Sequence, residues 1–338
     1  MPDYTFPTAD ELREVAQEKT PRLIADRPIF QILPIETAEE DLLEWEQEDN
    51  YTGLQGVRGL NGLPSRVSRV GAKGYLMRPG YYGEFGVIDE NELTRRRDYG
   101  TFGTPIDLSK LVMKIQDQLL VRRFDRIELI GWNLVANGTF STTDKAGNVV
   151  HTDSFTLQTF TAGVTWATVA TATPLADFRA IKLLGRGKGV TFGAGARVYM
   201  NQVTYNNMIA NTNAADLYGR RTDGLSTVNN LGDFNRLLAG DDLAQIAIYD
   251  EGYLDDTGTF VPFIGNGKAI AIGKRTAGQV IGNYRMTRNA NNANMAPGAY
   301  MKVIDRGEDQ VPRQIEVHDG HNGGPVLYFP SAIIKMSV

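Results

Sequence analysis

The sequence predicts an α+β protein built on one long helix, and three observations carry that prediction. Apolar residues recur at three- and four-residue intervals from Leu108 to Leu134, the helical period. Alternating runs punctuated by Gly and Asn follow this stretch and close the chain, the signature of strands and turns. Residues 1–83 have a different texture, first acidic and then glycine-rich and basic.

At 338 residues, with 42% apolar and 22% charged residues, the chain is long enough for about two domains and a sizeable core. It has 0 Cys, which excludes a disulfide framework, a thiolate nucleophile and Cys-ligated metal centres. Only three histidines occur, His151, His318 and His321, so the commonest general acid-base residue near neutral pH is scarce. The N-terminal residues 1–7 lack a basic segment followed by an apolar one, and no run of ~18 apolar residues is present, so neither a secretory signal nor a membrane span is expected. The chain reads as a soluble intracellular product. The net charge of −5 conceals a split: residues 1–50 carry −10 and the remainder +5.

The acidic excess concentrates in residues 36–49, where eight acids stand without a base. Such a segment either exposes a solvated acidic helix face or extends as an arm onto a basic surface, with Leu42, Leu43 and Trp45 set among the acids. Pro21, Pro28 and Pro34 divide any helix upstream, so residues 1–50 are expected to form an arm rather than core. In residues 51–83 the sign reverses: Arg58, Arg66, Arg69, Lys73 and Arg78 stand with eight glycines and no acid. Gly53, Gly56, Gly59 and Gly62 recur every third residue but lack the proline of collagen. Val67, Val70, Tyr75 and Met77 supply short strands of a glycine-bent hairpin that cannot bury both faces and needs a partner surface.

Thr104-Pro105-Ile106-Asp107 is a helix start, with Thr at the N-cap and Pro at the first helical position. The helix predicted over 105–137 ends at the C-cap pair Asn137-Gly138 and spans roughly 45 Å. Residues 139–142 and 149–157 form a hairpin around 144–148, and residues 261–264 and 268–272 form another around Gly265-Asn266-Gly267. Helices are expected at 174–184, 202–210 and 227–239, and a mobile asparagine-rich loop at 283–298. A strand at 312–317, a turn at 318–325 and an apolar stretch at 326–336 complete the chain.

Searches for chemistry return little. Gly267-Lys268-Ala269 and Gly187-Lys188-Gly189 fail the phosphate-loop pattern, which requires Ser or Thr after the lysine, and the run Gly185, Gly187, Gly189 lacks a βαβ context. His318-Asp319-Gly320-His321 lacks the further ligands of a metal site and reads as a surface turn. The pairs Asp241-Asp242 and Asp255-Asp256 suit caps and turns. Arg95-Arg96-Arg97, with Tyr99 and Phe102, is surrounded by Glu90, Glu92 and Asp98, so no basic face for sequence-specific nucleic-acid binding emerges. No catalytic, cofactor-binding or metal residue is assigned.

The order of parts, with residues 93–100 leading into the long helix, 132–138 ending it, and the run 260–268, resembles the major capsid protein of tailed bacteriophages. The resemblance is to the Hong Kong 97 fold and in particular to the lambda-type capsid protein E family. It implies an N-terminal arm at 1–50, an E-loop at 51–90, a peripheral domain at 91–165 and 300–338 containing the spine helix 105–137, and an axial domain at 166–299. It implies no enzyme and no cofactor. It implies instead a self-assembling subunit of the virion, forming hexamers and pentamers in an icosahedral shell around double-stranded DNA. Expected partners are further copies of the chain, a separate scaffolding protein, a portal protein and a decoration protein, with non-specific contact to the packaged DNA and no membrane. No fused, cleaved scaffolding segment is expected.

The basic set Arg58, Arg66, Arg69, Lys73 and Arg78 is expected to meet the acids Glu39, Glu40, Asp41 and Glu44 of adjacent copies. Lys73, the sole lysine between Lys19 and Lys110, is the one candidate for a covalent cross-link and reads better as a salt-bridge partner. Two other readings stay open: an encapsulin-like compartment subunit on the same fold, and an intracellular α+β hydrolase or binding protein.

Overall fold

The computed structural model describes residues 9–48, 54–64, 66, 71–93, 108–143, 149–211, 231–255, 257–275, 280–307 and 311–338. The chain divides into two compact units. The first comprises residues 1–43, 76–131 and 283–326, and the second residues 44–75, 132–282 and 327–338.

The first unit is a helix-on-sheet layer. Its helices are α1 (Ala9–Ala25), α2 (Ile29–Ile32), α3 (Glu90–Leu93) and most of α4 (Leu108–Asn137), the long helix expected from the apolar period. Its sheet runs β1 (Ile35–Thr37), β15 (Gly282–Met286), β17 (Ile315–Leu327), β16 (Tyr300–Asp305), with β4 (Gly80–Ile88) also on β17. The strand β4 lies antiparallel along Ile315 to Gly323, and β16 antiparallel along Ile315 to Gly320. Alternation places Ile315 and Val317 inward, where they close a core with Leu12, Ile88, Leu108, Val112 and Leu119. At the other end of this stretch of α4, Phe30 meets Phe124 edge-on at 5.7 Å, and Arg27 bonds Asp125 and, at 3.1 Å, Glu128.

The second unit is built on a mixed sheet ordered β10 (Gln245–Ile248), β9 (Arg197–Met200), β13 (Lys268–Ile272), β18 (Ile333–Ser337), β7 (Gln158–Thr161). Its central strands are apolar on both faces: Val198, Met200, Ala269, Ile270, Ala271 and Ile334 are all buried, as a sheet covered on both sides requires. Helices α5 (Pro174–Leu184), α6 (Gln202–Ile209) and α7 (Leu231–Gly240) belong to this unit. The Asn201 side chain caps α6 by accepting the Thr204 N–H at 2.8 Å, and Trp166 Nε1 donates to Asp177 of α5 at 2.8 Å. The end of α4 also lies here, with Trp132 stacked on Tyr249 at 5.3 Å. Four two-stranded ribbons complete it: β5 (Thr139–Thr143) with β6 (Val149–Ser154), β8 (Val190–Thr191) with β14 (Lys274–Arg275), β11 (Gly252–Leu254) with β12 (Phe260–Pro262), and β2 (Leu43–Glu48) with β3 (Ala72–Met77).

Several expectations hold. The helix ends at Asn137, and Gly138, at φ +72°, donates its N–H to the Leu134 carbonyl at 2.8 Å, the glycine C-cap read from the sequence. The helices at 174–184 and 202–210 and the β5–β6 ribbon form as expected. The helix start at 104–107, the turn at 144–148, Val67, Val70, Asp256 and the arginines 95–97 lie outside the described residues.

Four expectations are corrected. Residues 1–50 do contribute core: Leu12, Ile29, Phe30, Leu43 and Trp45 are buried, and the acidic stretch contains strands β1 and β2 rather than a helix face. Alternation in β2 sends Trp45 inward, where it stacks on Tyr75 at 5.3 Å and donates to the Leu327 carbonyl at 3.1 Å, while Glu44 and Glu46 face out. The runs 261–264 and 268–272 do not pair with each other; β12 pairs with β11, and β13 enters the central sheet between β9 and β18. Residues 318–325 are not a turn but part of the 13-residue β17. Its glycines answer a packing demand: a Cβ on Gly320 would lie 2.5 Å from the Tyr82 carbonyl oxygen and 2.7 Å from the Tyr300 ring. The asparagine-rich segment is a bonded turn, because Asn283 and Asn289 are buried, Asn289 accepts the Asn291 N–H at 2.9 Å, and Asn292 donates to the Ala296 carbonyl at 3.0 Å.

Candidate functional site

The candidate surface begins on the chain between β2 and β3. Arg58, Arg66, Lys73 and Arg78 are all exposed, and among the described residues none forms an ion pair with an acid of its own chain; Arg69 lies outside them. Arg58 donates to the Gly62 carbonyl at 3.4 Å, across a turn closed by the Gly62 N–H on the Gly59 carbonyl at 2.9 Å.

The acids divide. Glu39, Glu40 and Asp41 are exposed in the first unit, where Glu40 pairs with Arg285 at 3.5 Å, and Glu44 is exposed on β2 in the second. Within neither unit does a described ion pair join the acidic set to the basic one. Part of the acidic stretch is thus satisfied internally: Glu36 accepts a hydrogen bond from Asn283, as Glu40 is held by Arg285.

Charge was the signal read from this loop, and the structure adds an apolar one. Leu54, Val57, Leu60 and Leu63 are 99, 101, 100 and 92% exposed, four aliphatic side chains at three-residue spacing without cover among the described residues. They are the second residues of the glycine triplets, so the period of three, too poor in proline for collagen, also marks them. A patch of this kind marks an interaction surface.

The His318-to-His321 segment, read as a turn, instead builds the seam between β17 and α4. Its two histidines are three residues apart on a strand and face opposite ways, so they cannot share one metal. His318 stacks on Phe85 at 5.1 Å and bonds Glu316 at 2.8 Å. On the other face Asp319, buried, takes two bonds from Arg123 Nη1 at 3.0 and 2.9 Å, and burial pushes its carboxyl up to about 6 against the pull of that guanidinium. His321, also buried, stacks on Tyr82 at 5.0 Å and shares a 3.0 Å hydrogen bond between Nε2 and the Tyr284 hydroxyl. Burial, with the nearby charges of Arg123 and Arg126, holds its imidazole down at about 3, so it is neutral. These groups lock helix to sheet.

Comparison with known proteins agrees with a structural role. The family model described as phage major capsid protein E matches residues 11–338. No curated protein sequence matches the chain. Among solved structures, one described as a prophage capsid protein of E. coli CFT073 is similar at TM-score 0.63 and 13% identity, covering 99% of each chain. A phage-related protein from Bordetella bronchiseptica RB50 is similar at TM-score 0.56 and 9% identity, covering 98% of this chain and 97% of that one. The mature capsid of bacteriophage PhiM1 is similar at TM-score 0.50 and 9% identity, over 91 and 86%. The architecture of long helix, helix-backed sheet and second mixed-sheet unit is that of Hong Kong 97-type capsid subunits, and among the described residues no helix is long and apolar enough to cross a membrane. With the family model spanning nearly its whole length, this chain belongs to the phage major capsid protein E family, a structural protein of the virion shell.

Proposed function

We propose that copies of this chain assemble as hexamers and pentamers into an icosahedral head around double-stranded DNA, joined in part through the loop 54–78. One observation carries the reading: the loop presents four fully exposed aliphatic side chains beside bases that, among the described residues, form no ion pair with an acid of their own chain. Covering a Leu or Val is worth roughly 1.5–3 kcal/mol, against about 0–1 kcal/mol for an exposed ion pair. Leu54, Val57, Leu60 and Leu63 therefore supply most of the loop's adhesion to a neighbouring copy. Arg58, Arg66, Arg69, Lys73 and Arg78, set against Glu39, Glu40, Asp41 and Glu44 of that copy, steer the approach and fix its register.

The partition into arm, E-loop, peripheral and axial domains, the portal and decoration partners and a separate scaffolding protein belong to the same proposal. So does loose contact with DNA: the chain carries a net charge of −5, which disfavours tight phosphate binding. Sedimentation and negative-stain microscopy of the purified chain test it. Closed particles support assembly, and a small soluble oligomer under all assembly conditions, with scaffold supplied, counts against it.

A further inference from the structure

The second unit holds a guanidinium that has no counterpart elsewhere among the described residues. Arg275 ends the short strand β14, opposite Val190 of β8; its neighbour Lys274 is exposed, while Arg275 is only 8% exposed. Its guanidinium carbon lies 3.0 Å above the centre of the Phe329 ring, and Phe329 is itself fixed by its N–H on the Ile281 carbonyl at 3.1 Å. An arginine carries five N–H donors in one plane. Among the described residues, buried Nε and Nη1 of Arg275 have no acceptor and no carboxylate acts on the group; burial alone draws its pKa down.

Buried donors are nearly always bonded, and a dry charge without a partner is costly. The ring below satisfies the face of the cation but leaves its in-plane edge unmet. Other arginines of the chain show what normally fills that edge: Arg122 grips both oxygens of Glu84 at 2.5 and 2.9 Å, and Arg123 those of Asp319.

We propose that Arg275 is the receiving half of an oxyanion site. The ligand is a group with two oxygens on one centre, a carboxylate or a phosphate, which matches the planar fork. Such a group comes either from an acidic side chain of a second copy or from a free ion in solution. Phe329 is the shelf that holds the fork in place.

The test is thermal unfolding of the full-length unassembled chain in phosphate and in acetate, against chloride at equal ionic strength. The expected result is a saturable rise in midpoint with the oxyanions, on the order of a few degrees at a hundredfold excess over the dissociation constant, absent in Arg275→Gln. Arg275→Lys keeps the charge without the fork and is expected to respond more weakly, which serves if Arg275→Gln does not fold. A wild type that responds to no oxyanion more than to chloride, or an equal response in Arg275→Gln, overturns the site. Repeating the titration on assembled particles separates the sources: a response lost on assembly assigns the edge to a neighbour's carboxylate, and one retained assigns it to a solution ion. The site itself is tested on the unassembled chain, so failure to form particles bears on the shell reading alone.

Discussion

Two arginines adjacent on α4 show how burial alone sets what a side chain is worth. Arg122 and Arg123 each make two bonds to a carboxylate, but the Arg122–Glu84 side chains are 61 and 41% exposed and those of Arg123 and Asp319 only 8 and 4%. Arg122→Ala is expected to cost no more than about 1 kcal/mol. Arg123→Ala, which leaves the buried Asp319 carboxyl without its guanidinium partner under α4, is expected to cost roughly 3–5 kcal/mol. Urea unfolding of both variants decides it, and equal losses would refute the assignment to burial. His321 adds a pH dependence. An imidazole held at about 3 in the fold and titrating near 6.5 when unfolded contributes stability that is whole above pH 6.5 and is lost as pH falls toward 3. Asp319, pushed up to about 6, works in the opposite sense between pH 6 and 3.8, but it does so in wild type and variant alike. The stability of His321→Gln relative to wild type should therefore rise as pH drops through this window, by up to about 5 kcal/mol. A difference that stays flat from pH 7 to 4 would show that His321 already titrates normally.

At the scale of elements, α4 was the most legible part of the chain because its signals are local: a periodic apolar stripe and a glycine where the backbone turns left-handed. The end of α4 gives a direct prediction. At Gly138 an added Cβ would face φ +72° and stand 2.7 Å from the Phe155 carbonyl oxygen, so Gly138→Ala is expected to cost roughly 1–2 kcal/mol, read as a lowered melting temperature. Strand pairing was less legible. The Gly265-Asn266-Gly267 turn is present, with Gly267 at φ +67°, but it delivers the chain from one sheet to another rather than closing a hairpin. Nothing within 261–272 records that β13 is claimed by β9 and β18, strands some seventy residues away on either side. The same limit applies to 318–325, where glycine conventionally signals a turn. Here it makes room for Tyr300 and for the backbone of β4, neighbours that are distant in sequence.

For the molecule as a whole, the proposed contact of the loop 54–64 with neighbouring copies gives a further prediction. Replacing Val57 and Leu60 by Asp should leave the unassembled chain as stable as wild type, because both side chains are fully exposed, and should abolish particle formation. Replacing Arg58 and Arg66 by Gln should slow assembly and weaken its salt dependence while particles still form. Sedimentation across a salt series distinguishes these outcomes, and the reverse ranking would make charge rather than apolar burial the adhesive. The result also bears on the acidic stretch, since Glu40 is already engaged by Arg285 and Glu36 by Asn283.

What the sequence determined by itself was what depends on near neighbours along the chain. That includes the α+β class, the long helix and its cap, the β5–β6 ribbon, the three short helices (the third over its described residues), the charge reversal near residue 50, and an order of parts that resembled a capsid subunit. Tertiary structure decided everything set by residues far apart. It placed Trp45, among acids, in a core beside Tyr75; it turned His318-Asp319-Gly320-His321 from a surface turn into the seam under α4; and it left Arg275 dry and without a counter-ion among the described residues. Alternation along a strand says which residues share a face, but whether that face meets a helix, a strand or water depends on partners that no local pattern encodes.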